Sequence, residues 1–301
     1  MGERSAGHFV KMVHNGIEYA IMQLISEVYE ILRKGFNMND ADLNRLFTKW
    51  NQGPLQSYLI EITAGIFAYK KEGATHILLN DIKDEAKAKG TGKWTSQVAM
   101  DLSLPVPLID VAVSMRDMSK FKTLRSQAYE RYNTANQPAY PGKAADYVAL
   151  VEQALHFGMI SAFAQGMHLL YRANEEYNYG LKPEKIAKIW RGGCIIRAAM
   201  LNDIYAAYEH DSGLEHLFLN EPIAKVLSKN LAATRTIVSD AALYGIATPA
   251  FFVALSYFDN FRNKFMPTNL IQAQRDYFGS HTYEIIGKEG SFHTHWDSKP
   301  D

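Results

Sequence analysis

Four polar side chains with complementary chemistry lie along one apolar segment near the start of the chain. In FVKMVHNGIEYAIMQLI, residues 9–25, they are Lys11, His14, Asn15 and Glu18. If the segment is helical, their spacing of i, i+3, i+4 and i+7 places them on one face. A base and an acid held along one face suit a reaction that moves protons at two centres.

The remainder of that segment is apolar around nearly its whole circumference, so we expect a helix that is buried on all sides. A buried lysine or glutamate destabilises a fold unless it is paired, and desolvation moves the pKa of lysine toward values at which it acts as a base. The same spacing also allows a simpler interpretation, in which Lys11 pairs with Glu18 or Asn15 at a solvated helix edge.

Apolar residues spaced three and four apart predict helices through most of the chain. These segments are residues 8–34, 40–70, 144–177, 182–208 and 221–264. Asn39 or Asp40 is placed to cap the second segment, and Pro183 lies near the start of the fourth. Strand signals are poor. The sequence predicts an all-α fold with a large single helical domain, residues 1–280, and an irregular C-terminal tail, residues 281–301.

Two parts of the chain match each other and indicate an internal duplication, with units of about 8–140 and 144–265. LFTKWNQG and IAKIWRGG align Trp50 with Trp190, while HNGIEYAIMQLISEVY and HFGMISAFAQGMHLLY align the two histidines, His14 and His156. The second copy has glutamine, phenylalanine and isoleucine where the first has lysine, asparagine and glutamate. A helix of this kind therefore does not need the polar stripe, which favours a functional role for it.

Composition excludes several classes of function. The 32 basic and 32 acidic residues balance, so no global field favours nucleic acid or a membrane surface as a partner. The only cysteine, Cys194, is expected as a core thiol in an apolar helix and indicates a reducing, cytoplasmic location. Residues 241–258 are uncharged, but Pro249 predicts two packed helices there. His293 and His295, without nearby carboxylates, are weak grounds for a metal site, and none is expected.

The segment AKAKGTGKWT, residues 86–95, offers Lys89, Lys93 and two glycines to an anion such as a phosphate. It mimics a Walker A loop, but Lys87 and Trp94 stand where that pattern needs glycine and serine or threonine. Taken alone, the segment is more simply interpreted as a solvated, lysine-rich loop.

Several motifs together resemble one known family. GHFVKMVHNGIEY, KGTGKWT, WRGGCIIR and LIQAQRDYFGSHTYE are similar, in order and over essentially the whole chain, to the all-helical substrate and dimerisation domain of the 6-phosphogluconate dehydrogenase family. The resemblance implies NADP-dependent oxidative decarboxylation of 6-phosphogluconate to ribulose 5-phosphate, without a metal. This reaction belongs to the pentose phosphate pathway and to gluconate utilisation. The catalytic residues implied are Lys11, a general base at the 3-hydroxyl, and Glu18, an acid that protonates C1 of the enediol.

The same resemblance implies a set of substrate-binding residues. They are His14, Asn15, Tyr19, Lys89, Thr91 and Arg116, together with Arg275 and His281, which the family donates to the active site of the other subunit. Asn15 would also contact the nicotinamide side of NADP. A homodimer is therefore expected, in which the tail of one chain completes the substrate pocket of its partner.

The family's coenzyme domain is expected ahead of this one, and no glycine-rich turn after an apolar strand occurs in the sequence. We therefore expect most NADP contacts to come from that domain, and little dehydrogenation by this chain alone. An excised domain, a split enzyme with a separate coenzyme-binding chain and a natural remnant all fit. The alternatives are a non-catalytic helical dimerisation module and a related β-hydroxyacid dehydrogenase. Ala20-Ile21 stands where the family has Gly-Asp.

Overall fold

Helices account for nearly all regular structure in the computed structural model, which describes residues 2–132 and 144–296. The α-helices in this part of the chain are α1 Ala6–Glu30, α2 Asp40–Trp50, α3 Tyr58–Ala68, α4 Thr91–Asp101, α5 Pro107–Ser119, α6 Lys122–Tyr132, α7 Ala144–Tyr177, α8 Pro183–Arg191, α9 Leu201–His210, α10 Glu221–Leu243, α11 Pro249–Phe261 and α12 Thr268–Gly279. A π-helical turn, Ile31–Gly35, extends α1. The all-α prediction is confirmed. Residues 133–143, NTANQPAYPGK, which their composition predicts to be a linker, lie outside the described residues.

Local signals set the helix ends largely as predicted. The Asn39 side chain accepts a hydrogen bond from the backbone N–H of Asp42 at 2.9 Å and caps α2. Pro183 begins α8, where its missing N–H would have no helical partner. Pro249 likewise begins α11, so residues 241–258 form the end of one helix and most of the next, as expected. Three predicted helical segments are each two helices joined by a loop.

The core is built around α7, which packs against α1 and α10. Phe157 and Phe163 of α7 are completely buried. By length and composition alone α7 could cross a membrane, but 67% of its most apolar stretch is buried inside the protein. That burial is typical of a core helix.

Two expectations about burial are wrong. Although α1 packs against α4, α5 and α7, it keeps an open side on which Lys11 and Met22 are exposed. The near-continuous apolar pattern of α1 could not reveal this gap, because the gap depends on where the neighbouring helices end. Cys194 does not lie in an apolar helix but in the turn that follows α8, where it is half-buried.

The contacts divide the chain into two compact units, the first ending at Ser256 and the second beginning at Tyr257. In the second unit, α12 is followed by a short antiparallel hairpin of β1 Tyr283–Glu284 and β2 Ser291–Phe292. The hairpin lies within the predicted irregular tail. Two residues per strand are too few to show an alternating pattern in the sequence.

Asp276 anchors the segment after this hairpin onto α12. Its buried carboxylate lies 2.8 Å from His293 Nδ1 and accepts bonds from the backbone N–H of Thr294 at 3.1 Å and the indole N–H of Trp296 at 2.9 Å. Burial alone would raise the pKa of Asp276, but these three donors together lower it. His293 is therefore committed to a carboxylate of its own unit.

Candidate active site

The polar stripe forms a connected row along the open side of α1. Lys11 Nζ lies 3.2 Å from His14 Nδ1, which lies 3.2 Å from Asn15 Oδ1 and 3.9 Å from Glu18 Oε2. The helical spacing therefore brings all four side chains together around one imidazole nitrogen. Only His14 is fully buried, while Asn15 and Glu18 are half-buried and Lys11 is exposed.

Burial, and then the positive charge of Lys11, lowers the pKa of His14 to about 4. The ring is therefore neutral at physiological pH and carries its proton on only one nitrogen. Nδ1 can accept a hydrogen bond from the Lys11 ammonium or donate one to the Asn15 carbonyl oxygen, but it cannot do both. The tautomer of His14 is thus coupled to the protonation state of Lys11.

Glu18 is the acidic member of the row. Burial raises its pKa, and the nearby positive charges of Lys11 and Arg116 oppose that rise without cancelling it. A carboxyl group with a raised pKa is a better proton donor near neutral pH than an ordinary glutamate. Glu18 therefore has the electrostatic setting of a general acid.

Tyr19, the residue after Glu18, contacts both α4 and α5. Its ring is 6% exposed, and the Arg116 guanidinium carbon from the last turn of α5 lies 3.5 Å from the ring centroid. From the other direction, a Cβ added to Gly92 of α4 would lie 2.5 Å from the ring, so only glycine allows this approach. Tyr19 is held between the start of α4 and the end of α5.

The first turn of α4 is preceded by Gly90, whose φ of +92° favours glycine. The predicted lysine-rich loop ends there, and Thr91 is the first residue of the helix. Backbone N–H groups of a first helical turn have no partner within the helix and attract anions. With exposed Lys89 beside them and Arg116 on the far side of Tyr19, they form a cationic end to the row on α1.

Comparisons with known proteins identify the family of the chain. The family model for the 6-phosphogluconate dehydrogenase C-terminal domain matches residues 7–296. The chain belongs to this family. It is 45% identical over 296 residues to the Bacillus subtilis 6-phosphogluconate dehydrogenase, NADP(+)-dependent, decarboxylating, and 46% identical over 297 residues to the decarboxylating 6-phosphogluconate dehydrogenase of Escherichia coli K12.

Each of those alignments covers 98% of this chain and 63% of the relative. The chain therefore spans a little under two thirds of the length of these relatives. Among solved structures, it is similar to the Plasmodium falciparum 6-phosphogluconate dehydrogenase, which is described in its apo form and in complex with NADP+ and with 6-phosphogluconate. The TM-score is 0.95 at 44% identity, again with 98% of this chain and 63% of that chain covered.

Eight of the ten residues implied by the resemblance to 6-phosphogluconate dehydrogenase lie in the first compact unit, on α1, α4, α5 and the loop before α4. Arg275 and His281 lie in the second unit, at the end of α12 and just after it. Both are exposed; Arg275 donates to Gln272 Oε1 at 3.2 Å, and the His281 ring packs edge-on against Phe278.

Trp190 borders the candidate site, although the sequence did not predict a role for it there. Its buried indole meets the buried His14 ring edge-on, with centroids 6.0 Å apart. The repeat had aligned Trp190 with Trp50, which instead packs against Phe47. Cys194 lies close behind, donating its thiol to the Trp190 carbonyl at 3.1 Å, and burial raises the pKa of that thiol.

Among residues 2–132 and 144–296, no group of three or more histidine, cysteine, aspartate or glutamate side chains is arranged to hold a metal ion. The contact predicted between Asn15 and the nicotinamide stays a prediction; the Asn15 side chain is half-buried, and its amide can both donate and accept a hydrogen bond.

Proposed function

We propose that this chain provides the substrate-binding and proton-transfer part of an NADP-dependent, decarboxylating 6-phosphogluconate dehydrogenase. The observation that carries the proposal is the continuity of the site along α1. Proton-transfer groups at Lys11 and Glu18 lead directly to Tyr19, where the cationic end begins. At 1.5 Å per residue, Lys11 and Tyr19 are about 12 Å apart along the helix axis, a span comparable with an extended six-carbon sugar acid phosphate.

In this function Lys11, as the free amine, takes the proton of the 3-hydroxyl, and bound NADP would supply the acceptor for the hydride on C3. The Lys11 ammonium then returns its proton to the new carbonyl oxygen as the C1 carboxylate leaves as carbon dioxide. Glu18 protonates the terminal carbon of the resulting enediol, while the Lys11 amine takes the proton of the hydroxyl on the neighbouring carbon, and this yields the ketone, ribulose 5-phosphate. Each proton moves between the substrate and Lys11 or Glu18, so the steps balance without a metal.

Neutral His14 supports the proton transfers to and from Lys11. When Lys11 is an ammonium ion, His14 Nδ1 accepts its hydrogen bond; when Lys11 is an amine, Nδ1 carries a proton and donates to Asn15. A histidine with a pKa of about 4 does not compete with Lys11 for the substrate proton. His14 therefore steadies both states of the base.

We also infer a homodimer in which Arg275 and His281 reach the phosphate end of the partner's pocket. Two surfaces support this inference. Helix α6 has no buried residue, and its Leu124 and Tyr129 are 62% and 66% exposed. In the second unit α12 exposes Ile271 and Phe278. Large exposed apolar side chains on helices are typical of subunit interfaces. The single thiol agrees with a cytoplasmic location.

The deciding experiment is a calorimetric titration of 6-phosphogluconate into the chain, with its oligomeric state measured alongside. We expect binding in the micromolar to millimolar range, lost in Lys89→Ala and in Arg275→Ala. Lys225→Ala and Arg262→Ala are matched controls, because these cations pair with Glu221 and Asp259 on their own helices or helix ends. No binding by a well-folded dimer would favour the non-catalytic dimerisation module.

Activity provides a second, independent test. A purified protein of residues 1–301 alone should reduce NADP with 6-phosphogluconate little or not at all. Substantial turnover by the purified chain would contradict the proposal that most NADP contacts come from a separate coenzyme domain. Turnover with a different β-hydroxyacid, but none with 6-phosphogluconate, would favour the related dehydrogenase class.

A further inference from the structure

Helices α1 and α4 approach each other closely at two glycines. Gly92 of α4 faces Tyr19, and Gly16 of α1 faces Thr95, where an added Cβ would lie 2.7 Å from the threonine methyl group. As α4 advances from Gly92 to Thr95, the contact moves backward along α1 from Tyr19 to Gly16. The two helices therefore cross in an antiparallel sense, with Thr95 on the side nearer Lys11.

Thr95 also makes a polar contact with α1. Its side chain is completely buried, and its hydroxyl oxygen lies 2.9 Å from the Met12 carbonyl oxygen and 3.2 Å from the Thr91 carbonyl oxygen. A hydroxyl has one proton to donate, and the shorter contact is the one to Met12. Met12 directly follows Lys11 in the sequence, while Thr91 begins the helix at the cationic end.

We propose that Thr95 is a positioning residue that fixes α4, and with it Lys89 and Thr91, relative to the Lys11 row on α1. The inference rests on the proposed function, in which one substrate is held at both ends. Such a substrate is oriented for reaction only if the distance between the two ends is constant, because displacements of about 1 Å cost orders of magnitude in rate. The Thr95 hydroxyl sets the sliding position of the two helices, and the glycine at position 16 allows their close approach.

The experiment compares three variants of the full chain. Thr95→Val keeps the shape and removes the hydroxyl, whereas Thr95→Ser keeps the hydroxyl. Thr234→Val is the matched control, since Thr234 is equally buried but its hydroxyl donates only within α10, to the Asn230 carbonyl at 2.9 Å. Each variant is titrated with 6-phosphogluconate and, separately, with inorganic phosphate, which occupies the cationic end alone.

We expect Thr95→Val to weaken 6-phosphogluconate binding about tenfold while phosphate binding changes by less than about twofold. Thr95→Ser and Thr234→Val should bind both ligands like the parent chain. Unchanged 6-phosphogluconate binding in Thr95→Val, or an equal loss in Thr234→Val, would overturn the inference.

Amide hydrogen exchange of the ligand-free chains tests the role of Thr95 without depending on whether 6-phosphogluconate binds. Thr95→Val should raise amide exchange in the first two turns of α4 and leave α10 unchanged, with Thr234→Val showing the reverse. If the parent chain does not bind 6-phosphogluconate, the proposed function fails, and the exchange data still decide the role of Thr95. Unaltered exchange at the start of α4 in Thr95→Val would then reject it.

Discussion

Helices α1 and α7 are the proposed equivalents of the duplication, and they differ in what surrounds them. α7 lies between α1 and α10, so Phe157 and Ile160, at the positions of Asn15 and Glu18, are buried. α1 is covered by α4, α5 and α7 but stays open beside Lys11. The comparison indicates that α1 can hold a row of polar side chains because one of its sides is open, next to the start of α4 and the end of α5.

The two aligned histidines sharpen the comparison. The pKa of each is lowered to about 4, first by burial and then by a neighbouring lysine, Lys11 for His14 and Lys229 for His156. His14 Nδ1 faces the Lys11 amine and the Asn15 side chain, whereas His156 Nδ1 lies 3.3 Å from the Asn230 amide nitrogen of α10. The pKa is therefore lowered alike for both histidines, although His14 lies in the candidate site on α1 and His156 of α7 makes a contact in the core.

The largest expected effect separates the two helices by activity. Lys11→Met, in this chain joined to the N-terminal region of the Bacillus subtilis relative, should lower turnover of 6-phosphogluconate by about 10³-fold, because the general base is lost. The assay follows NADPH formation. Gln153→Met at the aligned position of α7 is the control and should leave turnover unchanged. Comparable losses in both variants would mean that the methionine acts on folding rather than on chemistry.

The next effect concerns Glu27 of α1, whose aligned residue in α7 is Leu169. The buried Glu27 carboxylate accepts bonds from the backbone N–H groups of Ala250 at 2.8 Å and Phe251 at 3.1 Å, so α1 caps the start of α11. Glu27→Leu makes α1 resemble α7 and leaves both donors without an acceptor. The free energy of unfolding should fall by about 3 kcal/mol, measured by urea denaturation. An unchanged denaturation midpoint would show that the cap contributes nothing.

Glu27 also predicts a pH dependence. Burial raises its pKa in the folded chain to about 7, against a usual value of 4.5, while Gln23 and the two backbone donors oppose that rise. The folded state therefore holds this proton more tightly than the unfolded state, and the contribution to stability declines as the pH rises from about 4.5 through 7. Glu27→Gln should flatten this decline, and a curve parallel to that of the parent chain would contradict the assignment.

The smallest effect distinguishes the two histidines by their lysines. Lys11→Met should raise the pKa of His14 slightly and leave that of His156 unchanged, while Lys229→Met should do the reverse. NMR titration of the ring protons measures both. Because both folded pKa values lie below the usual 6.5, these histidines stabilise the fold above pH 6.5, and this stabilisation is lost as the pH falls toward 4. Identical shifts in both variants would mean that the lysines act at long range.

Sequence patterns predicted the helices better than their surroundings. Periodicity located α1, α2, α3 and α7 to α11, but it missed α4, α5, α6 and α12. Asn39, Pro183 and Pro249 marked where three of the predicted helices begin. The exposure of Lys11 and the place of Cys194 outside a helix were predicted wrongly, since both depend on which neighbours reach them. Trp190 and Thr95 gave no functional signal, because a buried tryptophan or threonine is ordinary until its contact with the site is known.

By itself, the sequence determined the helical class, the single polar row on α1 and the membership of a known family, because these follow from local spacing and from motif identity. Only the tertiary structure decided which member of the row is buried, what holds Tyr19, and how α4 meets α1 at Gly16 and Thr95. Burial, charge separation and hydrogen-bond partners across 83 residues of chain depend on packing between helices. Spacing along a single helix cannot specify that packing.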